Sequence, residues 1–349
     1  MANMQQHPTV IQFYERNELH TQAPHKQALD ANCLRQMCLD AGADDVGFVS
    51  INRSEIADQR DDILRAFPAT KTLISFVCRM NREPVRSPMR SIANAEFHSA
   101  GDRTDDVGNA LVSILERQNF RALYPTVGFP MEVQNFPGKT WVISHKPIAV
   151  AAGLGQIGIH RNVIHPKFGN FILLGTILID TEVGVEHQPI DYNPCLECKL
   201  CVAACPVGAI SPEGNFDFTA CFTHNYREFM GGFNDWVTTI VDSKNAQEYR
   251  EKFTEGETAS MWQSLSFKAN YKAAYCMAVC PAGEDVIAPF LTNRPEYLQD
   301  IVKPLQNKVE TVYVIPNSDA EAHVQRRFPH KYAKQVGSGL RITTIESFL

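Results

Sequence analysis

The chain has 349 residues, 44% of them hydrophobic, and carries a formal net charge of -6 with a sequence pI near 6.0. This length allows about two domains of ordinary size, and the apolar fraction is sufficient for a core, so a soluble globular protein is expected. No long block of lysine and arginine is present, and the composition therefore gives no electrostatic indication of nucleic-acid binding.

The N-terminal residues do not have the pattern of an export signal. Residues 1–17 contain polar and charged side chains throughout, without the apolar core of a signal peptide or a twin-arginine pair. The longest apolar stretch, residues 171–179, is far shorter than the roughly 20 residues of a membrane helix. We therefore expect a cytoplasmic protein, where the reducing environment disfavours disulfides among the ten cysteines.

The first half of the chain alternates between helical and strand-like patterns. Hydrophobic periodicity and terminating glycine or proline residues predict helices over 28–40, 54–66 and 105–119 and strands over 45–51 and 72–78. This alternation indicates a mixed α/β layer structure. Cys33, Cys38 and Cys78 lie within these apolar segments and are predicted to be small core residues.

A glycine-rich segment occupies the middle of the chain, between His145-Lys146 and an apolar strand predicted over 171–180. Its glycines at 153, 155 and 158 permit a positive φ or the close approach of a ligand to the backbone. Taken alone, the same glycines favour a tight turn between a helix and a strand.

The most specific motif is a run of four cysteines, Cys195, Cys198, Cys201 and Cys205, followed by a proline. In bacterial ferredoxins three cysteines of such a run bind one iron–sulfur cluster and the fourth binds its neighbour. A zinc site and free core thiols are the alternatives, but zinc usually takes two separated cysteine pairs. The run therefore predicts iron–sulfur clusters and electron transfer.

A second cysteine group supplies the remaining ligands. The crossover rule assigns Cys195, Cys198, Cys201 and Cys280 to one complete [4Fe–4S] cluster, and leaves Cys205, Cys221 and Cys276 for a second. Where a further cysteine is expected, three residues before Cys276, the chain has Ala273. The second site could hold a [3Fe–4S] cluster, or a [4Fe–4S] cluster whose last iron binds water, His224, Tyr275 or an external ligand, or it could have lost its cluster.

The C-terminal residues predict a small β-α-β unit, with a strand over 311–315, a helix over 320–328 and a strand over 340–345. Four regions follow: an N-terminal extension (1–24), an α/β core (25–185), a ferredoxin-like domain (186–295) and this C-terminal unit (296–349).

The order of these motifs resembles the cobalamin-dependent iron–sulfur reductases, a family that includes epoxyqueuosine reductase and the reductive dehalogenases. The resemblance lies in the segments 41–49, 152–158, 166–169 and 174–180 and in the cysteine run that follows them. It implies an α+β fold, with a nitroreductase-like α/β core and an inserted or appended two-cluster ferredoxin-like domain. It also implies base-off cobalamin, with a corrin site formed by Gly153, Leu154, Gly155, Gly158, Phe168 and Gly169.

Two departures from this family concern the proton donor and the tRNA. Lys139 stands where epoxyqueuosine reductases are expected to carry an acidic proton donor, and His145-Lys146 stands where they usually show Glu-Lys. The C-terminal unit is not a helical repeat that could hold tRNA. A nucleic-acid partner is therefore less favoured, although tRNA is not excluded.

The function expected from these motifs is that of a reductase. Electrons would pass from an external ferredoxin or flavoprotein through the clusters to cobalamin, which would reduce a carbon–oxygen or carbon–halogen bond in a small molecule or modified nucleoside. His145 and Lys146 are the first candidates for the proton donor, followed by His98 and Tyr124, although structural roles would also explain them. The alternatives are a cobalamin-free electron-transfer protein and a reductive activator of a corrinoid protein.

Overall fold

The computed structural model describes residues 4–17, 29–126, 141–185 and 187–337. Lys139 and the strand predicted over 340–345 lie outside these residues. No helix in the described ranges is long and apolar enough to cross a membrane.

Strands and helices both contribute to the fold, as the sequence predicts. The strands are β1 (Asp45–Ser50), β2 (Thr72–Arg79), β3 (Ala122–Leu123), β4 (Gln156–Ile157), β5 (Val163–Ile164), β6 (Ile172–Ile179), β7 (Thr311–Val314) and β8 (Tyr332–Gln335). The helices of the first half are α1 (Pro8–Asn17), α2 (Ala31–Asp40), α3 (Arg60–Ala66), α4 (Arg82–Arg86), α5 (Arg90–Arg117) and α6 (His145–Ala151). Those of the second half are α7 (Leu200–Ala204), α8 (Phe218–Asn225), α9 (Phe233–Asp242), α10 (Ala246–Lys252), α11 (Glu255–Ser266), α12 (Tyr275–Ala278), α13 (Ala288–Thr292), α14 (Arg294–Tyr297), α15 (Lys303–Asn307) and α16 (Asp319–Arg327).

A four-stranded antiparallel sheet, in the order β1-β2-β6-β3, forms the centre of the first half. Because successive side chains of a strand point to opposite faces, β2 contributes to two cores. Leu73 and Val77 pack on the face covered by α3 and α6, whereas Ile74 and Phe76 pack on the face covered by α2 and α5. The sheet is therefore enclosed between two helical layers.

The cysteine-rich half is assembled from short helices. Helices α7 and α12 carry cysteines of the two groups and pack against each other. Helix α8 carries Cys221, and α9 to α11 fill the long segment before α12. Helix α12 also contacts α4 of the first half, so that the two halves meet beside Cys276.

The described C-terminal residues form a β-α-β unit whose second strand precedes the segment predicted as a strand, 340–345. Strand β7 pairs in parallel with β8, and α16 connects them. The unit packs over the second cysteine group, because Val312, Val314 and Val324 share a core with Cys205. Its last described strand is thus Tyr332–Gln335, in a segment that the sequence left unassigned.

Two other sequence-based expectations were wrong. Helix α5 begins at Arg90, well before the predicted start at residue 105, because buried polar residues such as Asn94 and Glu96 conceal its inward face. Cys33 is exposed on α2 instead of lying in the core, whereas Cys38 and Cys78 are buried as predicted.

Candidate functional site

Four cysteines line one cavity between the glycine segment and the cysteine-rich half. They are Cys195, Cys198, Cys201 and Cys280, the four that the sequence assigns to one cluster. The chain bends around this cavity through a left-handed residue in each of the first two gaps of the run, Glu197 (φ 54°) and Lys199 (φ 53°). The run thus forms one wall of the cavity, and Cys280 joins it from a distant part of the chain.

The surroundings of this cavity suit an iron–sulfur cluster. The backbone N–H of Ile159 donates to Cys195 Sγ at 3.4 Å, a contact that stabilises negative charge on the sulfur. Burial, followed by the neighbouring Cys198 and Cys195, raises the pKa of the Cys280 thiol to about 12. Clustered buried thiolates are stable only when a metal centre takes up their charge, so cluster assembly would release protons.

Cys205, Cys221 and Cys276 form the second group. Burial and then the neighbouring Cys205 and Cys276 raise the pKa of Cys221 well above its usual range. Burial and then Cys205 raise the pKa of Cys276 to about 12. The backbone N–H of Ala209 donates to Cys205 Sγ at 3.3 Å. In the described ranges no three or more histidine, cysteine, aspartate or glutamate side chains are placed to hold a single metal ion. The thiolates of an iron–sulfur cluster instead bind several separate iron atoms and therefore stand farther apart.

Lys146 lies beside the second group. Burial lowers the pKa of its amine, while the nearby Cys276 and Cys221 thiols act in the opposite direction. Its Nζ donates to the carbonyl oxygen of Arg161 at 2.6 Å. The Lys146 side chain nevertheless remains exposed, so that solvent can reach it although protein atoms surround its amine. Lys146 is therefore a neighbour of Cys276 and Cys221 whose side chain remains accessible to solvent.

A buried arginine also accompanies this group. Arg90 is 7% exposed, and its Nε and Nη2 have no hydrogen-bond partner among the described residues. Burial lowers its pKa, whereas anionic neighbours that include Cys276 raise it. A buried cation is costly without a compensating negative charge. A thiolate-bound iron–sulfur cluster would supply that charge, so the donors and charges of the second group fit such a cluster.

The position of the missing cysteine is held rigidly. Ala273 is 6% exposed, and its backbone N–H donates to Asn225 Oδ1 at 2.9 Å. The N–H of the preceding Lys272 donates to the carbonyl oxygen of Asn225 at 3.1 Å. Asn225 is the last residue of α8, the helix that carries Cys221. Ala273 is therefore fixed against the same helix that supplies a ligand of the second group.

The two protein side chains suggested by the sequence as a fourth ligand have other partners. The hydroxyl of Tyr275 donates to the Glu310 carboxylate at 2.7 Å and 2.9 Å. His224 Nδ1 accepts the backbone N–H of Tyr313 at 3.3 Å, which leaves the proton of the neutral ring on Nε2. A protonated Nε2 has no lone pair for iron. Neither side chain is therefore arranged as a ligand in this structure.

Tyr226 is a neighbour of the second group that the sequence did not indicate. Burial, then Tyr271, Cys221 and Cys276, raises the pKa of its hydroxyl. Its ring lies edge-on to that of Tyr271, with 5.6 Å between the centroids. Together with Lys146, Tyr226 places polar groups beside the three cysteines.

The first candidate proton donor, His145, is enclosed in the core. It begins α6, is 8% exposed, and its Nδ1 lies 2.9 Å from Thr176 Oγ1 on β6. Burial lowers its pKa to about 4, so its ring is neutral at neutral pH. A neutral, buried His145 is better suited to holding α6 against the sheet than to donating a proton.

His98 and Tyr124 are also less suitable as proton donors than Lys146. The Tyr124 hydroxyl donates to Asp105 Oδ1 at 2.8 Å, and burial raises its pKa. Burial and the nearby Lys268 lower the pKa of His98. Among the side chains suggested by the sequence, Lys146 alone combines exposed surface, a lowered amine pKa and proximity to cysteine ligands.

The six residues expected to line a corrin are largely taken up by contacts within the chain. A Cβ on Gly153 or Gly155 would collide with the carbonyl oxygens of Gln188 and Ile164, and one on Gly169 with that of Ala282. The remaining three are buried: Gly158, Leu154 and Phe168. These residues are thus packed against other parts of the chain and do not present a surface that fits a corrin.

Comparisons with known proteins agree with the cysteine pattern. Residues 189–211 match the family described as "4Fe-4S binding domain". An epoxyqueuosine reductase of Cellulophaga algicola is 30% identical over 118 residues, which cover 30% of this chain and 38% of that protein. One of Vibrio cholerae is 34% identical over 89 residues, which cover 26% of this chain and 24% of that protein.

A solved structure of epoxyqueuosine reductase from Streptococcus thermophilus matches with a TM-score of 0.41 and 15% identity, covering 84% of this chain and 80% of that one. The two curated relatives are matched over less than two fifths of their length. Residues 189–211 are thus similar to 4Fe–4S binding domains, and parts of the chain are similar to epoxyqueuosine reductases, which confirms the resemblance that the glycine and cysteine motifs predict.

Proposed function

We propose that this protein is an iron–sulfur reductase in which electrons pass from a [4Fe–4S] cluster on Cys195, Cys198, Cys201 and Cys280 to a second centre beside Lys146. The cavity that these four cysteines line is the observation that carries the proposal, and three of the four lie within residues 189–211, which match a 4Fe–4S binding domain. An external ferredoxin or flavoprotein would supply the electrons. This proposal includes the domain boundaries, which are 25–185 for the core, 186–295 for the ferredoxin-like domain and 296–349 for the C-terminal unit. It also includes the nitroreductase-like character of the core.

The second centre is proposed to be a cluster with three cysteine ligands, Cys205, Cys221 and Cys276. It would be a [3Fe–4S] cluster, or a [4Fe–4S] cluster whose fourth iron binds water or an external ligand. The proposal is supported by the fixed position of Ala273 and by the cationic Arg90 and Lys146 around the group.

Lys146 is proposed as the proton donor. Reductive cleavage of a carbon–oxygen or carbon–halogen bond consumes protons together with electrons, and a general acid works best when its pKa lies near the working pH. Burial lowers the pKa of the Lys146 amine toward neutral pH, and the side chain remains accessible to solvent. His145 is assigned a supporting role, since its hydrogen bond to Thr176 holds the start of α6 and thereby Lys146.

The substrate class is proposed from the relatives. Their name indicates epoxyqueuosine, a modified nucleoside, as one candidate substrate. The other candidate is a small halogenated molecule, because the expected reaction reduces a carbon–oxygen or a carbon–halogen bond. Since the relatives are matched over only part of their length, a substrate carried on tRNA and a free small molecule both belong in the test. A cytoplasmic location is part of this proposal, since a reducing compartment keeps the thiols of the two cysteine groups available for clusters.

Cobalamin has less support than the clusters. When bound, it would supply a strongly nucleophilic reduced cobalt. Its expected contacts at Gly153, Gly155 and Gly169 are occupied by carbonyl oxygens of the chain, so we derive no step of the mechanism through it.

The test is anaerobic purification followed by iron, sulfide and cobalt analysis and EPR spectroscopy, with and without added cobalamin. Turnover is then measured with a chemical reductant on an epoxyqueuosine-modified stem loop and on a halogenated phenol. Lys146→Met should lower turnover by about 100-fold or more, since general acids contribute that much, while cluster content stays unchanged. Wild-type protein without a [4Fe–4S] signal would refute the reductase.

One alternative is favoured by a specific observation. The packed glycine segment agrees with a cobalamin-free protein that delivers electrons to a partner enzyme. Protein with full clusters that binds no cobalamin and reduces neither substrate, but passes electrons to an added protein acceptor, would establish this function instead.

A further inference from the structure

His160 lines the cavity that contains Cys195, Cys198, Cys201 and Cys280, and it has an unpaired ring nitrogen. The side chain is 4% exposed, and its Nε2 has no hydrogen-bond partner among the described residues. Buried polar atoms are nearly always paired in folded proteins, so an orphaned nitrogen at the wall of a cavity indicates a partner inside that cavity.

The other ring nitrogen determines what Nε2 can do. His160 Nδ1 accepts the backbone N–H of Asn162 at 3.2 Å, and an accepting nitrogen carries no proton. The neutral ring therefore carries its proton on Nε2, and so does the cationic ring. Nε2 is a hydrogen-bond donor in either state, and it has no lone pair for binding iron.

The ring is also held in place. A Cβ on Gly158 would lie 3.2 Å from Cε1 of His160, so the absence of a side chain at 158 leaves room for the imidazole. The preceding residue, Ile159, already donates its backbone N–H to Cys195 Sγ. Two consecutive residues of the glycine segment thus border the same cavity, and the N–H of the first already contacts one of its cysteines.

We propose that His160 donates its Nε2–H to a sulfur of the first cluster and thereby raises the reduction potential of that cluster. The inference rests on the proposed function, because it requires the [4Fe–4S] cluster in this cavity. Hydrogen bonds to the sulfurs stabilise the more negative, reduced cluster and are one of the factors that set its potential. The glycine segment then serves the cluster, by bringing Ile159 and His160 against it, and its glycines do not need to contact a corrin.

The first measurement uses the wild-type holoprotein. Protein labelled with ¹⁵N-histidine is reduced and examined by pulsed EPR, and a weak ¹⁵N coupling to the first cluster is expected, together with an exchangeable deuteron in D₂O. A [4Fe–4S] signal without a histidine coupling would overturn the inference and leave the proposed function intact. The absence of any [4Fe–4S] signal would overturn both.

The second measurement compares variants by EPR-monitored redox titration. His160→Phe should shift the midpoint potential of the first cluster to a lower value and abolish the ¹⁵N coupling, whereas His160→Gln, which keeps N–H donors, should retain most of the wild-type potential. His330→Phe, at an exposed histidine that does not line the cavity, is the matched control and should leave the potential unchanged. Equal potentials in wild type and His160→Phe, at equal iron content, would refute the role of His160.

Discussion

Gly169 and Ala282 approach each other so closely that no side chain fits between them: a Cβ on Gly169 would collide with the carbonyl oxygen of Ala282. Gly169 also has a φ of 66°, in the left-handed region that favours glycine. Ala282 follows Cys280 by two residues, and Glu284 continues the contact by donating its N–H to the carbonyl oxygen of Pro166 at 2.9 Å. This backbone contact fixes the segment that brings Cys280 to the first cavity.

Substitution of Gly169 by alanine is therefore expected to disturb the first cluster. The added Cβ must push the Ala282 carbonyl away, and the left-handed backbone adds strain, so we expect a loss of about 2 kcal/mol or more in the free energy of unfolding. Because Cys280 lies two residues before Ala282 in the chain, the variant should also bind less iron than wild type. Its [4Fe–4S] EPR signal, measured after anaerobic reconstitution, should be weaker.

Gly101→Ala is the matched control for this substitution. Gly101 lies within α5, and a Cβ there would meet no atom within 4 Å. Alanine favours a helix over glycine by about 1 kcal/mol, so this variant should be as stable as wild type or slightly more stable. Equal losses of cluster in both variants would show that the Gly169–Ala282 contact has no special role.

Ala273→Cys is expected to complete the second cluster. The backbone of Ala273 is fixed against Asn225, the last residue of the helix that carries Cys221, and Ala273 belongs to the hydrophobic cluster against which Cys276 packs. Iron should rise from about seven to about eight atoms per chain if the wild-type site holds [3Fe–4S], and the oxidised [3Fe–4S] EPR signal should disappear.

The control for this experiment adds a cysteine elsewhere. Ala246 is exposed near the start of α10, so Ala246→Cys gives the protein the same number of thiols without altering the second group. Its iron content should equal that of wild type. An unchanged spectrum in Ala273→Cys, with a fully reacted free thiol at 273, would contradict the assignment of this position to the cluster.

The sequence was most informative where short-range spacing determines the structure. Strands β2 and β6 are buried on both faces and therefore appear as continuous apolar runs. The cysteine run likewise shows its chemistry in its own spacing, and the assignment of Cys280 to the first group agrees with the cavity.

Long-range contacts explain what the sequence did not predict. The first turns of α5 lack an apolar stripe, because buried Asn94 bonds to Asn270 and the carbonyl oxygen of Tyr271, far along the chain. His160 follows the glycine motif directly, yet nothing local shows that its Nδ1 is occupied and its Nε2 unpaired. The sequence shows only that a histidine stands two residues after the last glycine. It does not show which way the imidazole ring points.

Glu310→Gln should destabilise the C-terminal unit, within which Glu310 and Lys331 form an ion pair. Glu310 is bound by Lys331 Nζ at 2.7 Å, and the Lys331 side chain is 1% exposed. Burial alone would raise the pKa of the Glu310 carboxyl, but Lys331 and Lys308 hold it below its usual range. Removing the carboxylate leaves a buried ammonium without its counter-charge, which costs about 3 kcal/mol.

Urea unfolding under anaerobic conditions measures this loss. Glu255→Gln is the matched control, since Glu255 and Arg250 are 87% and 61% exposed and 3.7 Å apart, and exposed pairs contribute less than about 1 kcal/mol. A loss in Glu310→Gln no larger than in Glu255→Gln would show that the buried ion pair does not hold the unit in place.

Asp45 is expected to make the stability of the core depend on pH. Burial would raise the pKa of its carboxyl, but hydrogen bonds from His165 and Arg35 lower it to about 2. Because the folded-state pKa lies below the unfolded value of about 3.9, the stabilisation is complete above roughly pH 5 and is lost as the pH falls toward 2. The carboxyl is 26% exposed, so solvent screening limits its contribution to about 1–2 kcal/mol.

Asp45→Asn should therefore unfold at a lower urea concentration than wild type at pH 7, and the difference should shrink to about half at pH 3, where the unfolded-state carboxyl is mostly protonated. The physical reason is that asparagine cannot supply the charge that His165 and Arg35 stabilise in the folded protein. Asp58→Asn, at an exposed aspartate near the end of a short helical turn, should match wild type at both pH values. A difference between Asp45→Asn and wild type that stays constant from pH 7 to pH 3 would mean that Asp45 acts through packing and not through its charge.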